Sequence, residues 1–131
     1  MKVLLGLVLC SLISASFAQS HASALIRGMP VRRFFERWYP KGMPPFTDFT
    51  YTLNTTPDMV IELHCPAIYL FKPCSEYMFK IHDGDDVKVI CGTTKKYFYT
   101  SKSNKLAVQV ITGKKPMKNC PKCSARPIKK T

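Results

Sequence analysis

Alternation of side-chain character with a period of two is the feature that most limits the folds open to this chain. In residues 59–65 every second residue is apolar, and Glu62 and His64 stand between apolar neighbours. A β-strand points successive side chains to opposite faces, so this pattern suits a strand with one buried face. The segment therefore predicts a strand and not an amphipathic helix.

Similar runs recur through the middle of the chain, rich in Val, Ile, Tyr, Phe and Thr and separated by turn residues such as Asp83-Gly84. The predicted strands cover residues 46–53, 59–65, 67–71, 77–81, 86–90, 96–100 and 105–112. About seven short strands with no amphipathic helix among them predict an all-β fold, an antiparallel β-sandwich. In the last strand, Leu106, Val108 and Val110 should face the core.

The first 18 residues have the organisation of a secretory signal peptide. Lys2 precedes an apolar run over residues 3–13, and small residues occupy the cleavage positions Ser16 and Ala18. The apolar run is shorter than the roughly 20 residues that cross a bilayer. We expect cleavage after Ala18, secretion of the mature chain, and no membrane-spanning segment.

The net charge of +12 is concentrated at the two ends of the chain. Residues 42–112 contain seven basic and seven acidic residues, so the middle is neutral. We expect an extended basic N-terminal segment (19–45), a sandwich (46–112) and a basic, mobile, proline-containing tail (113–131). The basic residues predicted to bind an anionic partner are Arg32, Arg33, Arg37, Lys114, Lys115, Lys118, Lys122, Arg126, Lys129 and Lys130.

Five cysteines remain once Cys10 leaves with the signal peptide, which fits an oxidising compartment. They are Cys65, Cys74, Cys91, Cys120 and Cys123. Because five is odd, at least one stays free, binds something else, or joins another chain in a disulfide-linked dimer.

Asn54-Thr55-Thr56 is a sequon for N-glycosylation in a polar stretch before Pro57. The alternatives are a glycosylated and an unmodified Asn54, and the sequence leaves both open.

Several segments within residues 46–112 resemble a CUB domain of the arthropod type, a secreted β-sandwich module. They are Ile61-Glu62-Leu63-His64-Cys65, Cys74 with the strand that follows it, the pair Cys91-Gly92, and residues 100–108. The pair Cys91-Gly92, followed by a Ser/Asn turn and an alternating strand, is the most specific of these.

The resemblance implies a disulfide between Cys74 and Cys91, worth about 3 kcal/mol on the chain-entropy model. CUB modules usually pair four cysteines in order, but residues 49–51 stand where the first one would fall. Cys65 is therefore left to pair with one of the two tail cysteines, unless those two pair with each other.

Many CUB modules bind calcium and use it to hold a basic side chain of a partner. The resemblance places two of the family's acidic ligands at Tyr77 and close to Gly113, and neither residue supplies a carboxylate. The cluster of Asp83, Asp85 and Asp86 is accounted for by an Asp-Gly turn. We expect no metal and no cofactor.

The sequence contains no recognisable catalytic constellation. His64 should lie on the outward face of a strand, His82 beside a turn, and His21 in the mobile front segment. Residues 120–123 have the Cys-x-x-Cys spacing of redox and half-zinc motifs, but lack the helix or the further ligands that such sites need. A structural disulfide is the favoured interpretation, and we expect no enzyme activity.

Two aromatic clusters have the composition of contact sites. The aromatic and arginine residues at 32–39 either anchor an interface or cover one edge of the sandwich, and Arg32-Arg33 is also a candidate processing site. Residues 97–99 beside two lysines are similar to a stacking surface for single-stranded nucleic acid. Secretion argues against nucleic acid as a partner.

The sequence therefore predicts a secreted, non-catalytic CUB-like binding module of saliva, venom or haemolymph, with an extracellular protein or a sulfated glycan as partner. Two alternatives remain open. One is a basic toxin or antimicrobial factor that acts on anionic membrane surfaces, and the other is a regulatory remnant of a CUB-containing protease.

Overall fold

The computed structural model describes residues 18–26, 31–32 and 42–130, and every regular element within them is a strand. The strands are β1 (Ala18–Leu25), β2 (Val31–Arg32), β3 (Thr47–Asn54), β4 (Met59–Tyr69), β5 (Met78–Asp83), β6 (Asp86–Ile90), β7 (Thr93–Thr100), β8 (Lys105–Ile111) and β9 (Lys122–Lys129). In this part of the chain there is no helix with the length and apolarity that crossing a bilayer requires.

The strands form two sheets around one core, which confirms the prediction of an all-β sandwich. One sheet has the order β1-β3-β8-β5-β6 and the other the order β2-β9-β4-β7. Phe49 and Val108 from the first sheet and Ile61 and Leu63 from the second belong to the same buried cluster. Alternating residues of β3, β4, β5, β8 and β9 supply most of this core, because their side chains point to one face.

Residues 67–71, predicted as a separate strand, continue β4 for most of their length. The register between β4 and β9 shifts between His64 and Ala67, which marks an irregularity in the ladder. Pro66 lies inside this irregularity and is exposed. Proline lacks the N–H that a regular ladder uses, so a bulge accommodates it without ending the strand.

The expectation that residues 113–131 form a mobile tail outside the sandwich is wrong for β9. This strand pairs antiparallel with β4, from Met59 opposite Lys129 to Ala67 opposite Lys122. Cys123 and Ala125 alternate with more exposed residues and are buried in the core. Burial of Cys123 and Ala125, together with the disulfide at Cys123, therefore stabilises a strand in a segment whose lysine and proline content predicted a tail.

The boundary expected at residue 46 is also wrong, because β1 belongs to the sandwich. β1 pairs in parallel with β3, so the sheets are not purely antiparallel. Ile26 is buried, its N–H donates to Asn54 O at 2.7 Å, and its carbonyl accepts from Thr55 Oγ1 at 2.9 Å. His21, expected in a mobile segment, lies on β1 with Nε2 2.9 Å from Thr52 Oγ1.

Other predictions for the N-terminal part fall outside the described residues. These are the signal peptide up to residue 17, Arg33, Arg37, and most of the aromatic cluster at 32–39.

Candidate binding surface

Three chain segments meet at one end of the sandwich. The end of β4 is tied to the start of β7 by Leu70 N–H donating to Gly92 O at 2.9 Å. Residues 113–119, which follow β8, return across this end: Phe46 N–H donates to Gly113 O, and Met43 and Met117 form a β-bridge. We call the resulting surface the lysine–aromatic end. It comprises Tyr69, Phe71, Lys72, Lys114, Lys115 and Lys118.

Two aromatic rings are exposed on the lysine–aromatic end. Tyr69 and Phe71 are large apolar side chains, yet each keeps 42% of its surface accessible to solvent. Phe71 contacts the buried Tyr77 edge-on, with ring centroids 5.5 Å apart, which holds the Phe71 ring in place. Exposed rings next to cationic side chains are typical of contact surfaces.

The rings and lysines border two open grooves that share Phe71 and Lys115. The first has a volume of about 350 Å³ and is lined by Phe71, Lys72, Glu76, Tyr77, Lys114 and Lys115. The second has a volume of about 600 Å³ and is lined by Tyr69, Leu70, Phe71, Thr93 and residues 115–119. The surface therefore has concave shape as well as charge.

The four lysines of the lysine–aromatic end have no ion-pair partner among the described residues. Glu76 is the only carboxylate that lines either groove there. None of the four lysine ammonium groups forms an ion pair with a described residue, whereas Arg126 Nε lies 2.8 Å from Glu62 Oε1 and Lys102 pairs with Asp86. An anion that reaches this end meets ammonium groups that have no competing partner in the described chain.

Tyr77 ties the lysine-bearing segments together beneath this surface. Its hydroxyl accepts from Lys115 N–H at 2.7 Å and donates to Lys115 O at 3.2 Å. Its own N–H donates to Pro73 O at 3.1 Å, next to Lys72. The ring packs on Gly113, where an added Cβ would lie 2.9 Å from Tyr77 Cε1. Tyr77 thus contacts the Lys115 segment through its side chain and the turn that carries Lys72 through its backbone N–H.

The structure divides the basic residues predicted to act together. Lys114, Lys115 and Lys118 lie at the lysine–aromatic end, whereas Lys122, Arg126, Lys129 and Lys130 follow β9 away from it. Lys130 N–H donates to Asp58 O, beyond the start of β4. Arg32 is placed on β2, opposite Ser124.

Sequence reasoning missed Lys72, Tyr69 and Phe71 as contact residues. Lys72 was counted in the neutral middle of the chain, and only the fold brings it beside residues 113–119. The available signal was the turn Phe71-Lys72-Pro73, which puts an aromatic and a cationic side chain at the end of an apolar strand.

Two disulfides use four of the five cysteines expected in the mature chain. Cys74 is joined to Cys91, the pair that the CUB resemblance implies. Cys65 is joined to Cys123, which settles the alternative left open between the tail cysteines. Cys120 keeps its thiol, and burial raises the pKa of that thiol.

The histidines and the Asp cluster have local structural partners. His64 stacks on Phe98 with ring centroids 4.2 Å apart. His82 Nε2 lies 2.8 Å from Gln109 Oε1. Asp83 is buried and accepts from Tyr99 Oη at 2.7 Å and from Lys102 N–H at 3.0 Å, as a turn residue would. Within the described residues no three His, Cys, Asp or Glu side chains converge on a point that could hold a metal ion.

The predicted glycosylation site lies at the end of β3. Asn54 is half-buried, Thr55 is buried and Thr56 is exposed. Phe49 and Leu53 of β3 face the core, so Asn54 is on the opposite face of the strand.

Comparison with known proteins identifies the family. No protein-family model matches the chain. A venom CUB domain-containing protein, number 2 of that name from Platymeris rhadamanthus, is 31% identical over 117 residues, which are 87% of this chain and 89% of the relative.

Solved structures agree at the level of the fold. The extracellular region of zebrafish Gpr126/Adgrg6 matches with a TM-score of 0.70 and 14% identity over 88% of this chain, which spans only 15% of that larger protein. The CUB2 domain of MASP-1 bound to Ca²⁺ matches with a TM-score of 0.60 and 17% identity, over 78% of this chain and 96% of that domain. CUB domains are in general non-catalytic modules. Because of its similarity to the venom relative, with which the fold of this chain agrees, the chain belongs to the CUB domain family.

Proposed function

We propose that this chain is a secreted, non-catalytic binding module of venom type that binds a sulfated glycan at its lysine–aromatic end. The observation that carries the proposal is the grouping of four lysines without described ion-pair partners beside two exposed aromatic rings. Lysine ammonium groups attract sulfates, and aromatic faces give the apolar faces of sugar rings a surface to stack on.

Secretion is supported by three observations of different kinds. The first 18 residues have signal-peptide character, two disulfides are present, and the curated relative is a venom protein. Disulfides persist in oxidising compartments, so the bonded cysteines fit an exported chain.

The shape of the surface favours a glycan over a membrane. Positive charge alone would attract an anionic bilayer as well as a sulfated chain. The two grooves at this end are concave, however, and a linear oligosaccharide can enter a groove that a flat lipid surface cannot reach. Binding to anionic vesicles is therefore an outcome of the test below and not the proposed activity.

The test compares two variants that lose the same charge at different places. The site variant carries Lys72→Gln, Lys114→Gln, Lys115→Gln and Lys118→Gln. The control variant carries Lys88→Gln, Lys105→Gln, Lys129→Gln and Lys130→Gln, all at exposed positions away from the grooves. Both variants lower the net charge of +12 by the same amount.

The site variant should elute from immobilised heparin at clearly lower salt than the control variant, with both melting near the unmodified protein. Exposed charge interactions are screened by salt, so the elution point reports the local charge that contacts the glycan. Equal elution of the two variants would show that binding follows net charge and would overturn the proposal. Tighter binding of the unmodified protein to phosphatidylserine vesicles than to heparin would assign the surface to membranes instead.

A further inference from the structure

The CUB resemblance places one calcium ligand at Tyr77 and another close to Gly113, next to the lysine–aromatic end. Tyr77 and Gly113 are in fact in contact, as two ligands of one ion should be. The space between them is filled: an added Cβ on Gly113 would lie 2.9 Å from both Tyr77 Cε1 and Glu76 Cβ. No side chain that could coordinate an ion fits at residue 113 without displacing its neighbours.

The donor set at this end does not fit calcium. Calcium takes six to eight oxygen ligands, several of them carboxylates. Glu76 is the one carboxylate among the described residues that line the groove, and the Tyr77 hydroxyl is engaged by the backbone of Lys115. Lys72, Lys114 and Lys115 line the same groove, and their charges would oppose a divalent cation.

Tyr77 supplies the cross-link that shapes this groove. Its hydroxyl both donates to and accepts from the backbone of Lys115, which fixes the segment after β8. Pro73 O accepts from the N–H groups of Glu76 and Tyr77, which fixes the turn that carries Lys72. The Tyr77 hydroxyl therefore positions the segment after β8, the backbone N–H groups of Glu76 and Tyr77 position the turn, and neither segment needs an ion.

We infer that the groove lined by Lys72, Lys114 and Lys115 is an anion subsite that binds a sulfate group of the glycan. Tyr77 positions the chain segments that form this groove, and no metal ion is involved. The inference rests on the proposed function and adds the ligand group and the positioning residue. The charge of this groove is opposite to that of a calcium site. Ammonium groups line it and attract an anion, whereas carboxylates line a calcium site and attract a cation.

The test deletes one hydroxyl at a time. Tyr77→Phe keeps the ring against Gly113 and removes the bonds to Lys115. Tyr99→Phe is the matched control, because it also removes a hydrogen-bonded hydroxyl, the one that donates to Asp83, and Tyr99 lines neither groove. The affinity for a sulfated heparin hexasaccharide should fall about fivefold in Tyr77→Phe, the effect of one typical hydrogen bond, and stay unchanged in Tyr99→Phe. For the unmodified protein it should be equal in calcium and in chelator.

A double-mutant cycle separates positioning from general stability. Tyr77→Phe combined with Lys115→Gln should lose less affinity than the two single losses together, because both act on the same contact, whereas Tyr77→Phe and Lys118→Gln should be additive. Full affinity in Tyr77→Phe, additive losses with Lys115→Gln, or loss of binding in chelator would each overturn the inference. If the four-lysine site variant and the control variant bind alike, the proposed function itself fails.

Discussion

Cys65 and Cys123 form a buried disulfide between two strands that are neighbours in one sheet, with their Cα atoms 4.1 Å apart. The bond lies at the irregularity between β4 and β9, where the register shifts after His64. It fastens the last strand of the chain to the centre of the four-stranded sheet. The C-terminal lysines are therefore attached to a rigid framework.

Removing this disulfide should strongly destabilise the protein. The bond closes a loop with a sequence separation of 58 residues. On the chain-entropy model such a cross-link contributes about 4 kcal/mol. The variant Cys65→Ala/Cys123→Ala should lower the free energy of unfolding by that order, measured by denaturant titration. A change below about 1 kcal/mol would contradict the assigned bond, since native disulfides of small secreted domains contribute more.

Peptide mapping under non-reducing conditions checks the same assignment directly. It should recover one linked pair from Cys65 and Cys123 and another from Cys74 and Cys91. A link between Cys120 and Cys123 would contradict the structure.

Truncation of the C-terminal segment should unfold the sandwich. Deleting residues 122–131 removes β9, which lies between β2 and β4 and buries Cys123 and Ala125. The loss exposes the backbone of β4 along that side and opens the core. Calorimetry of the truncated chain should show no cooperative transition near that of the full protein. An unchanged melting temperature would restore the description of this segment as a detachable tail.

The sequence predicts strands well where packing follows the period of two. β6 was predicted with the bounds that the structure shows, β8 ends one residue earlier than predicted, and β3 is shifted by one residue at both ends. β9 was missed because lysine and proline content dominates a segment in which only Cys123 and Ala125 carry the alternation. Its strand conformation depends on the disulfide and on β4, which are non-local contacts that local composition does not record.

The candidate site was predicted in part, for a similar reason. Lys114, Lys115 and Lys118 follow one another closely in sequence, so a charge count identifies them. Lys72 joins them only through the turn in which the Tyr77 N–H donates to Pro73 O. The sequence shows that the calcium carboxylates of the family are absent at Tyr77 and close to Gly113. It does not show that the Tyr77 hydroxyl bonds to the backbone of Lys115 instead.

Stability should fall at alkaline pH through Tyr99. Burial, followed by the hydrogen bond to Asp83, raises the pKa of Tyr99 from 10.0 to about 12. Folding thus favours the neutral phenol, so its contribution is fully present below pH 10 and is lost as the pH rises to about 12. Ultraviolet titration of the folded protein should show a tyrosine that ionises late.

The variant Tyr99→Phe provides the control for that pH dependence. It should lose the late-titrating phenol and be less stable than the unmodified protein at neutral pH, with the difference shrinking above pH 10. A stability difference that does not change with alkaline pH would contradict the role given to the Tyr99–Asp83 bond.

Asn54 should carry a glycan when the protein is made in a secreting cell. It ends β3 on the face away from the core, and Thr56 of the sequon is exposed. Treatment with an N-glycosidase should increase gel mobility, and Asn54→Gln should abolish the shift. Identical mobility before and after treatment would show that the sequon is unused.

Chemical-shift mapping of the unmodified protein tests most directly whether the lysine–aromatic end is the glycan contact surface. Titration with a sulfated heparin hexasaccharide should shift the amide signals of residues 69–72, Thr93 and 114–119, which line the two grooves. The signals of β6 and of residues 126–130 should change little, although that second segment is also basic. Shifts concentrated at residues 126–130, or no localised shifts at saturating ligand, would contradict the account.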